Sequence, residues 1–254
     1  MKFLKPYFLI LGAAAFVLPL SAFASNCKTE NGVAWCDIQP GKFMMGSPET
    51  EVGRLSDETL HEVTISNSFQ MQATEVSQKQ WFLEMGYNPS YYWRGCVPSE
   101  YVEINGKFMC ANNPVEWVSW NEVQEFIRVQ NSKGDGYHYR LPTEEEWEYA
   151  ARAGATGPYS GTGNLAELAW YRENSRGVPN PVGRKQANAF GLQDMHGNVW
   201  EWVEGNSGYK GWGLIRGGGW WDPATDCRSA RRAIGELTNH FNYVGVRLVR
   251  TLQN

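Results

Sequence analysis

The chain of 254 residues has no run of basic residues, no low-complexity segment, no linker and no internal repeat. Its formal net charge is −4. Proteins that bind nucleic acid or an anionic membrane surface usually carry a basic patch, so neither is an expected partner. Without a linker or a repeat, the chain is expected to form one large domain, and we expect a monomer.

Long apolar runs are also scarce. One run, Phe8 to Leu20, follows a lysine-containing start and precedes the small-x-small sequence Ala22-Phe23-Ala24. This pattern predicts a secretory signal peptide over residues 1–24, followed by a single domain over residues 25–254. The run is short for a membrane span, so we expect no stable span after processing. A periplasmic or secreted protein is predicted, with a retained N-terminal anchor as the alternative.

Cysteine is represented by only five residues. In an exported chain, an odd number of cysteines predicts disulfides and one remaining thiol. Cys27 and Cys36 flank a short turn, and Cys96 and Cys110 flank Asn105-Gly106, which is a strong signal for a two-residue hairpin. We therefore predict two disulfides, Cys27–Cys36 and Cys96–Cys110, the second between facing residues of paired strands.

The fifth cysteine, Cys227, is then free. An unpaired cysteine in an exported protein is a buried small hydrophobe, a reactive thiol or an intermolecular link. Free cysteines are often core residues, which favours the first alternative.

The chain is rich in aromatic residues and glycine, with 12 Trp and 27 Gly. Apolar spacing and capping residues predict three helices, over Ser77–Met85, Ser119–Val129 and Thr143–Arg152. Two strands are predicted at residues 61–65 and 244–249. The residues themselves thus indicate an α+β fold with little regular structure.

The segment from Asn188 to Trp202 places two carboxylates, Asp194 and Glu201, on either side of Gly197. Calcium takes six to eight oxygen ligands from carboxylates and carbonyls on a sharply bent loop, which this spacing can supply. The alternative is a tight turn whose tryptophans anchor a core and whose acids face water.

Further motifs follow one another between residues 43 and 248. They are Phe43-Met44-Met45-Gly46, Ala73-Thr74-Glu75-Val76-Ser77, Asn113-Pro114-Val115-Glu116-Trp117, Arg140-Leu141-Pro142-Thr143-Glu144-Glu145-Glu146-Trp147, Arg216-Gly217-Gly218-Gly219-Trp220, Cys227-Arg228-Ser229-Ala230 and Val244-Gly245-Val246-Arg247-Leu248. Together with the segment from Asn188 to Trp202, their order and spacing resemble the formylglycine-generating enzymes, or sulfatase-modifying factors. The resemblance covers about residues 36 to 250.

This resemblance implies a C-type-lectin-like fold, with a small twisted antiparallel sheet, flanking helices and long ordered loops. It also implies a structural calcium ion. By position, its ligands would be the side chains of Asp194 and Glu201 and the carbonyls of Gly197 and Val199.

The resemblance implies that the family's oxidative reaction needs two cysteines five residues apart, which bind copper(I) as a thiolate pair. Cys227 is at the second position, so it is the candidate catalytic residue, but Asp222 is at the first. A carboxylate is a hard ligand and cannot replace a thiolate on a soft ion. The resemblance therefore predicts a member that does not make formylglycine, and whether copper or iron binds is left open.

Two other branches of the family and one non-catalytic alternative bear on the function. Iron-dependent sulfoxide synthases use a histidine triad, whereas the four histidines here are scattered, so that branch is rejected. Exported members that oxidise periplasmic substrates, as in pyoverdine maturation, imply an oxidoreductase acting on an unknown protein, peptide or small molecule. The alternative is a non-catalytic, calcium-stabilised module that binds a ligand or a protein. Its candidate binding face consists of Trp220, Trp221, Asn239, Phe241, Asn242 and Tyr243.

Overall fold

The computed structural model describes residues 27–253, and the predicted signal peptide lies outside these residues. The described strands are β1 Cys27–Glu30, β2 Val33–Ile38, β3 Gly41–Met45, β4 His61–Ile65, β5 Phe69–Gln72, β6 Tyr101–Ile104, β7 Lys107–Cys110, β8 Tyr137–Arg140, β9 Trp200–Val203, β10 Trp212–Arg216, β11 Arg232–Glu236, β12 Val244–Gly245 and β13 Val249–Leu252. The described helices are α1 Gln78–Met85, α2 Trp120–Asn131, α3 Glu144–Arg152 and α4 Leu165–Leu168. None of these helices has the length and apolarity that crossing a bilayer requires.

Most strands belong to two sheets. The larger sheet has the order β1-β2-β5-β13-β8 and is antiparallel throughout. The second has the order β11-β10-β9-β12, in which β12 and β9 run parallel. Two separate hairpins, β3–β4 and β6–β7, complete the strands. This mixture of sheets and short helices is the predicted α+β class.

The three predicted helices are present, and capping side chains fix where they begin. The hydroxyls of Ser77, Ser119 and Thr143 each accept a hydrogen bond from a backbone N–H three residues later. Glu122 and Glu146 complete capping boxes at the second and third of these helices. Such caps each stabilise a helix by about 1 kcal/mol, which explains why sequence alone located these starts.

The prediction of one continuous strand over residues 244–249 is wrong. The chain leaves the second sheet after β12 and enters the larger sheet at β13. The three residues between them, Val246 to Leu248, are all buried, so no face of this segment is turned towards water. Because this segment is buried on all sides, its sequence pattern predicts a continuous strand, although the chain passes from one sheet to the other here.

Both predicted disulfides are present, and Cys227 is free and buried. Cys27 and Cys36 lie opposite each other in β1 and β2. The placement predicted for the second disulfide is wrong in one detail. Cys110 ends β7, but Cys96 lies in the loop before β6 rather than in a paired strand. This bond therefore fastens a loop onto a hairpin.

One side chain, Arg247, connects the two sheets at the crossing between β12 and β13. Its guanidinium donates to the carboxylate of Glu201 in β9, with Nη2–Oε1 at 2.9 Å and Nε–Oε1 at 3.0 Å. It also donates to the carbonyl of Gln72 in β5 at 2.9 Å and to the carbonyl of Gln193 at 2.8 Å. Arg247 is fully buried, and Glu201 is 1% exposed.

We predict that Arg247→Ala lowers the free energy of unfolding by about 3–5 kcal/mol, because it leaves the buried Glu201 carboxylate without its partner. For a domain of this size, this corresponds to a fall of roughly 10 °C in Tm, measured by calorimetry. Lys42→Ala, which breaks the exposed Lys42–Glu62 pair, is the control and should cost less than about 1 kcal/mol. Equal losses in the two variants would contradict the structural role of Arg247.

Candidate functional site

The predicted calcium segment forms a sharply bent loop ahead of β9. Asp194 and Asn198 have φ values of 58° and 59°, and Gly197 has 87°. A Cβ atom on Gly197 would lie 2.2 Å from the carbonyl oxygen of Trp170, so the close approach of two backbones requires glycine here. The sequence predicted this turn from Gly197. It did not predict that the backbone at Trp170 packs against the turn.

The two predicted side-chain ligands have different surroundings. Asp194 Oδ2 accepts a hydrogen bond from the Gly183 backbone at 2.6 Å, whereas its buried Oδ1 has no partner among the described residues. Burial raises the pKa of Asp194 to about 6. Glu201 accepts from Arg247 through both oxygens and from the indole of Trp147 at 2.7 Å.

A third carboxyl group, Glu75, was not anticipated as part of this site. It is 1% exposed, and neither of its oxygens has a hydrogen-bond partner within residues 27–253. Burial, followed by the negative charge of Asp194, raises the pKa of Glu75 well above its ordinary value. In the sequence, Glu75 stands out only as part of the motif Ala73-Thr74-Glu75-Val76-Ser77, which does not indicate that it lies near Asp194.

The fit of calcium to this site differs between its two carboxylates. The unpartnered Oδ1 of Asp194 is the kind of oxygen that a hard cation would satisfy. The carboxylate of Glu201 already accepts hydrogen bonds at about four lone-pair positions, so a calcium ion would have to displace one of these donors. The ligand set Asp194, Gly197, Val199 and Glu201 stays a prediction.

On the other face of β9 lies an open cavity of about 550 Å³. It is lined by Trp200, Ile215, Trp220, Trp221, Asp222, Asp226, Arg231, Ala233, Ile234, Asn242 and Tyr243. Most of the predicted binding face is included, although Asn239 and Phe241 are not. Trp220 is buried and Trp221 is 60% exposed, so the two adjacent tryptophans have different environments.

Asp222, which the resemblance places at the first thiolate position, lies in this cavity. Its Oδ2 accepts a hydrogen bond from the indole of Trp200 at 2.7 Å. Burial raises the pKa of Asp222, and the nearby charge of Asp226 raises it further. Sequence reasoning missed the Trp200–Asp222 bond because the two residues are far apart in sequence and belong to different motifs.

Cys227 does not line the cavity and is fully buried. Burial, followed by the negative charges of Asp222 and Asp226, raises the pKa of its thiol well above the ordinary value. A thiol in this setting stays protonated, whereas the nucleophile and metal ligand is the thiolate. The structure gives the candidate catalytic role of Cys227 no support.

A row of aromatic rings extends from the cavity across the surface; we call it the aromatic row. Its neighbouring rings, with centroids 5.0–6.5 Å apart, are those of His240, Trp117, Tyr91, Tyr92, Trp220 and Trp221. Tyr91 is 59% exposed and Trp117 is 38% exposed. Trp117 has a φ of 63°, which is strained for a bulky residue and marks the site as one held in place by its surroundings.

The fold and the site together define a loop-rich α+β domain with a surface aromatic site. The chain belongs to the family of sulfatase-modifying factor enzyme 1-like domains, whose family model matches residues 21–252. This membership confirms the predicted family.

Three similar proteins illustrate the range of this family. The "Chaperone protein LppX" of Paenibacillus barcinonensis is 28% identical over 84% of this chain and 86% of its own length. The formylglycine-generating enzyme of Mycobacterium tuberculosis is 49% identical, but over only 37% of this chain and 33% of the enzyme. The structure of PvdO from Pseudomonas aeruginosa has a TM-score of 0.72 and 30% identity, covering 86% of this chain and 94% of PvdO. The likeness to solved structures confirms the predicted C-type-lectin-like fold class.

We predict that calcium stabilises the native protein and that Asp194 carries this effect. Calcium that binds only the native state should add about 2.7 kcal/mol at a hundredfold excess over its dissociation constant. Thermal unfolding should therefore shift down with chelator and return with calcium, and Asp194→Ala should lose this response. The control is Asp57→Ala, which removes an exposed carboxylate elsewhere. A full calcium response in the variant lacking both Asp194 and Glu201 would refute the ligand set.

Proposed function

We propose that this protein is an exported binding module for polypeptide segments and that it does not generate formylglycine. The observation that carries the proposal is the aromatic row, which leads into a cavity containing Asp222 instead of an exposed thiol.

The absence of formylglycine chemistry is supported by Asp222 and Cys227. A two-coordinate copper(I) site needs two thiolates, and a carboxylate is a poor ligand for this soft ion. Asp222 also cannot exchange with a substrate thiol, because exchange proceeds through a mixed disulfide. Cys227 is enclosed, and burial raises the pKa of its thiol, which argues against a reactive thiolate at this position.

Polypeptide binding is supported by the exposed rings. Aromatic side chains dominate the binding energy of protein interfaces because they bury large areas with few rotatable bonds. The aromatic row offers such rings in a continuous order, and the strained Trp117 is fixed by a backbone hydrogen bond from its N–H to the Phe241 carbonyl at 3.0 Å. The relative described as a chaperone, similar over most of both chains, agrees with this function.

Export is supported by the two disulfides, which persist in oxidising compartments. The signal-peptide pattern of residues 1–24 also favours a periplasmic or secreted location.

A second candidate function is the oxidative maturation of an exported substrate. It is supported by the family membership and by the resemblance to exported oxidising members. Stoichiometric copper or iron in the purified mature protein, measured by elemental analysis, would favour this candidate over a binding module.

We predict that mature protein incubated with copper and a Cys-x-Pro-x-Arg peptide in air forms no peptide aldehyde, as measured by mass spectrometry. In the same samples, iodoacetamide should label Cys227 only after unfolding, because the native thiol is buried and protonated. Aldehyde formation that is lost in Cys227→Ser would refute this part of the proposal.

We predict that the mature protein binds an unfolded polypeptide, carboxymethylated lactalbumin, through the aromatic row. Replacing both Trp117 and Trp221 by alanine should weaken binding by about 2 kcal/mol or more, which is typical of aromatic hot spots. Fluorescence anisotropy of the labelled polypeptide measures the change.

The matched control is Tyr209→Ala, which removes an aromatic side chain that is 66% exposed and outside the aromatic row. It should leave affinity unchanged. Equal losses in both variants, or no binding by the unaltered protein, would contradict the proposed function.

A further inference from the structure

The charges in the cavity do not cancel. Arg231 and Asp226 form an ion pair, with Nε–Oδ1 at 3.1 Å. The guanidinium of Arg231 also donates to the backbone carbonyl of Arg232. Asp222 has no ion-pair partner among the described residues, and its Oδ2 accepts a hydrogen bond from the neutral indole of Trp200. An ionised Asp222 therefore gives the cavity one uncompensated negative charge.

The walls around this charge suit a cation. Trp220, Trp221 and Tyr243 border the cavity, and aromatic faces attract cations through their quadrupole. The protein already places one cation on such a wall, since the guanidinium of Arg231 lies 5.8 Å from the ring centroid of Trp200. Beside these rings, Ile234 supplies apolar surface for a methylene stem.

The hydrogen bonding of Asp222 distinguishes between the two long cationic side chains. A guanidinium binds a carboxylate most strongly as a fork, which uses both carboxylate oxygens. Oδ2 of Asp222 is already bonded to the indole of Trp200 at 2.7 Å, so a fork would have to share that oxygen with the indole, as Arg247 shares Oε2 of Glu201 with Trp147. An ammonium group is a compact point charge that needs only the remaining oxygen.

We propose that this cavity binds a lysine side chain of the bound polypeptide, with the ammonium at Asp222, the methylene stem beside Ile234 and the rings of Trp220 and Trp221 around it. This inference rests on the proposed polypeptide-binding function and names the chemical group that the site selects.

The test uses three labelled pentapeptides, acetylated and amidated so that the side chain carries the only charge. Their central residues are lysine, arginine and norleucine, which has nearly the length of lysine without its ammonium. Fluorescence anisotropy with mature protein should give an affinity for the lysine peptide at least tenfold above that for norleucine. This is the lower limit expected for a charge-assisted hydrogen bond. The arginine peptide should bind more weakly than the lysine peptide.

Two variants locate the effect. Asp222→Asn keeps an oxygen for the Trp200 indole and removes the charge, so it should abolish the preference for lysine over norleucine. Asp57→Asn, at an exposed acid outside the cavity, should retain it. Trp221→Ala removes a wall residue that is 60% exposed and therefore tests the cavity without disturbing the core; it should weaken lysine binding severalfold.

The possible outcomes separate this inference from the proposed function. If lactalbumin binds but the lysine and norleucine peptides bind equally, or if Asp222→Asn keeps the preference, the lysine site is refuted and the binding module stands. If neither lactalbumin nor any of the peptides binds, the proposed function itself fails. A preference for lysine that disappears in Asp222→Asn and persists in Asp57→Asn supports the inference.

Discussion

The buried ion pair between Arg247 and Glu201 is the interaction on which the rest of the structure depends. Arg247 lies where the chain passes between the two sheets, and it also holds the carbonyls of Gln72 and Gln193. Burying two charges is costly, and the cost is offset only when the remaining donors and acceptors are satisfied. Here the guanidinium makes five hydrogen bonds to four acceptor atoms, and Trp147 donates to the same carboxylate. The pair therefore fixes one relative position of the sheets.

The same pair determines which side chains of β9 face the cavity. Successive residues of a strand point to opposite faces, so holding Glu201 on one face directs its neighbours in β9 to the other. Trp200 then lines the cavity and donates to Asp222, while Trp202 donates to the Val118 carbonyl at 3.1 Å. A shift of one residue would exchange the carboxylate for an indole. The ion pair and the cavity thus depend on one strand register.

Local features of this protein could be predicted from the sequence, whereas features that join distant segments could not. Ser119 and Glu122 act within one helical turn, so the start of α2 follows from the residues alone. The break between β12 and β13 could not be predicted, because a segment enclosed on both sides has the same apolar pattern as a strand. The positive φ of Trp117 could not be predicted either, because it is imposed by contacts with remote parts of the chain. At the candidate site, the order of the motifs predicted the loop from Asn188 to Trp202 and singled out Asp222. The position of Glu75 beside Asp194 became apparent only from the fold.

Asp222, which the resemblance places at the first thiolate position, determines what the cavity can select. A thiolate pair selects a soft metal ion, whereas a carboxylate interacts with hard cations and with hydrogen-bond donors. The indole of Trp200 satisfies one oxygen of Asp222, which offsets part of the cost of burying the carboxylate. Burial still raises the pKa of Asp222 and disfavours its charged form, so this compensation is incomplete. A bound cation would lower that pKa again. In the proposed lysine site, this electrostatic cost would favour a positively charged group at this position.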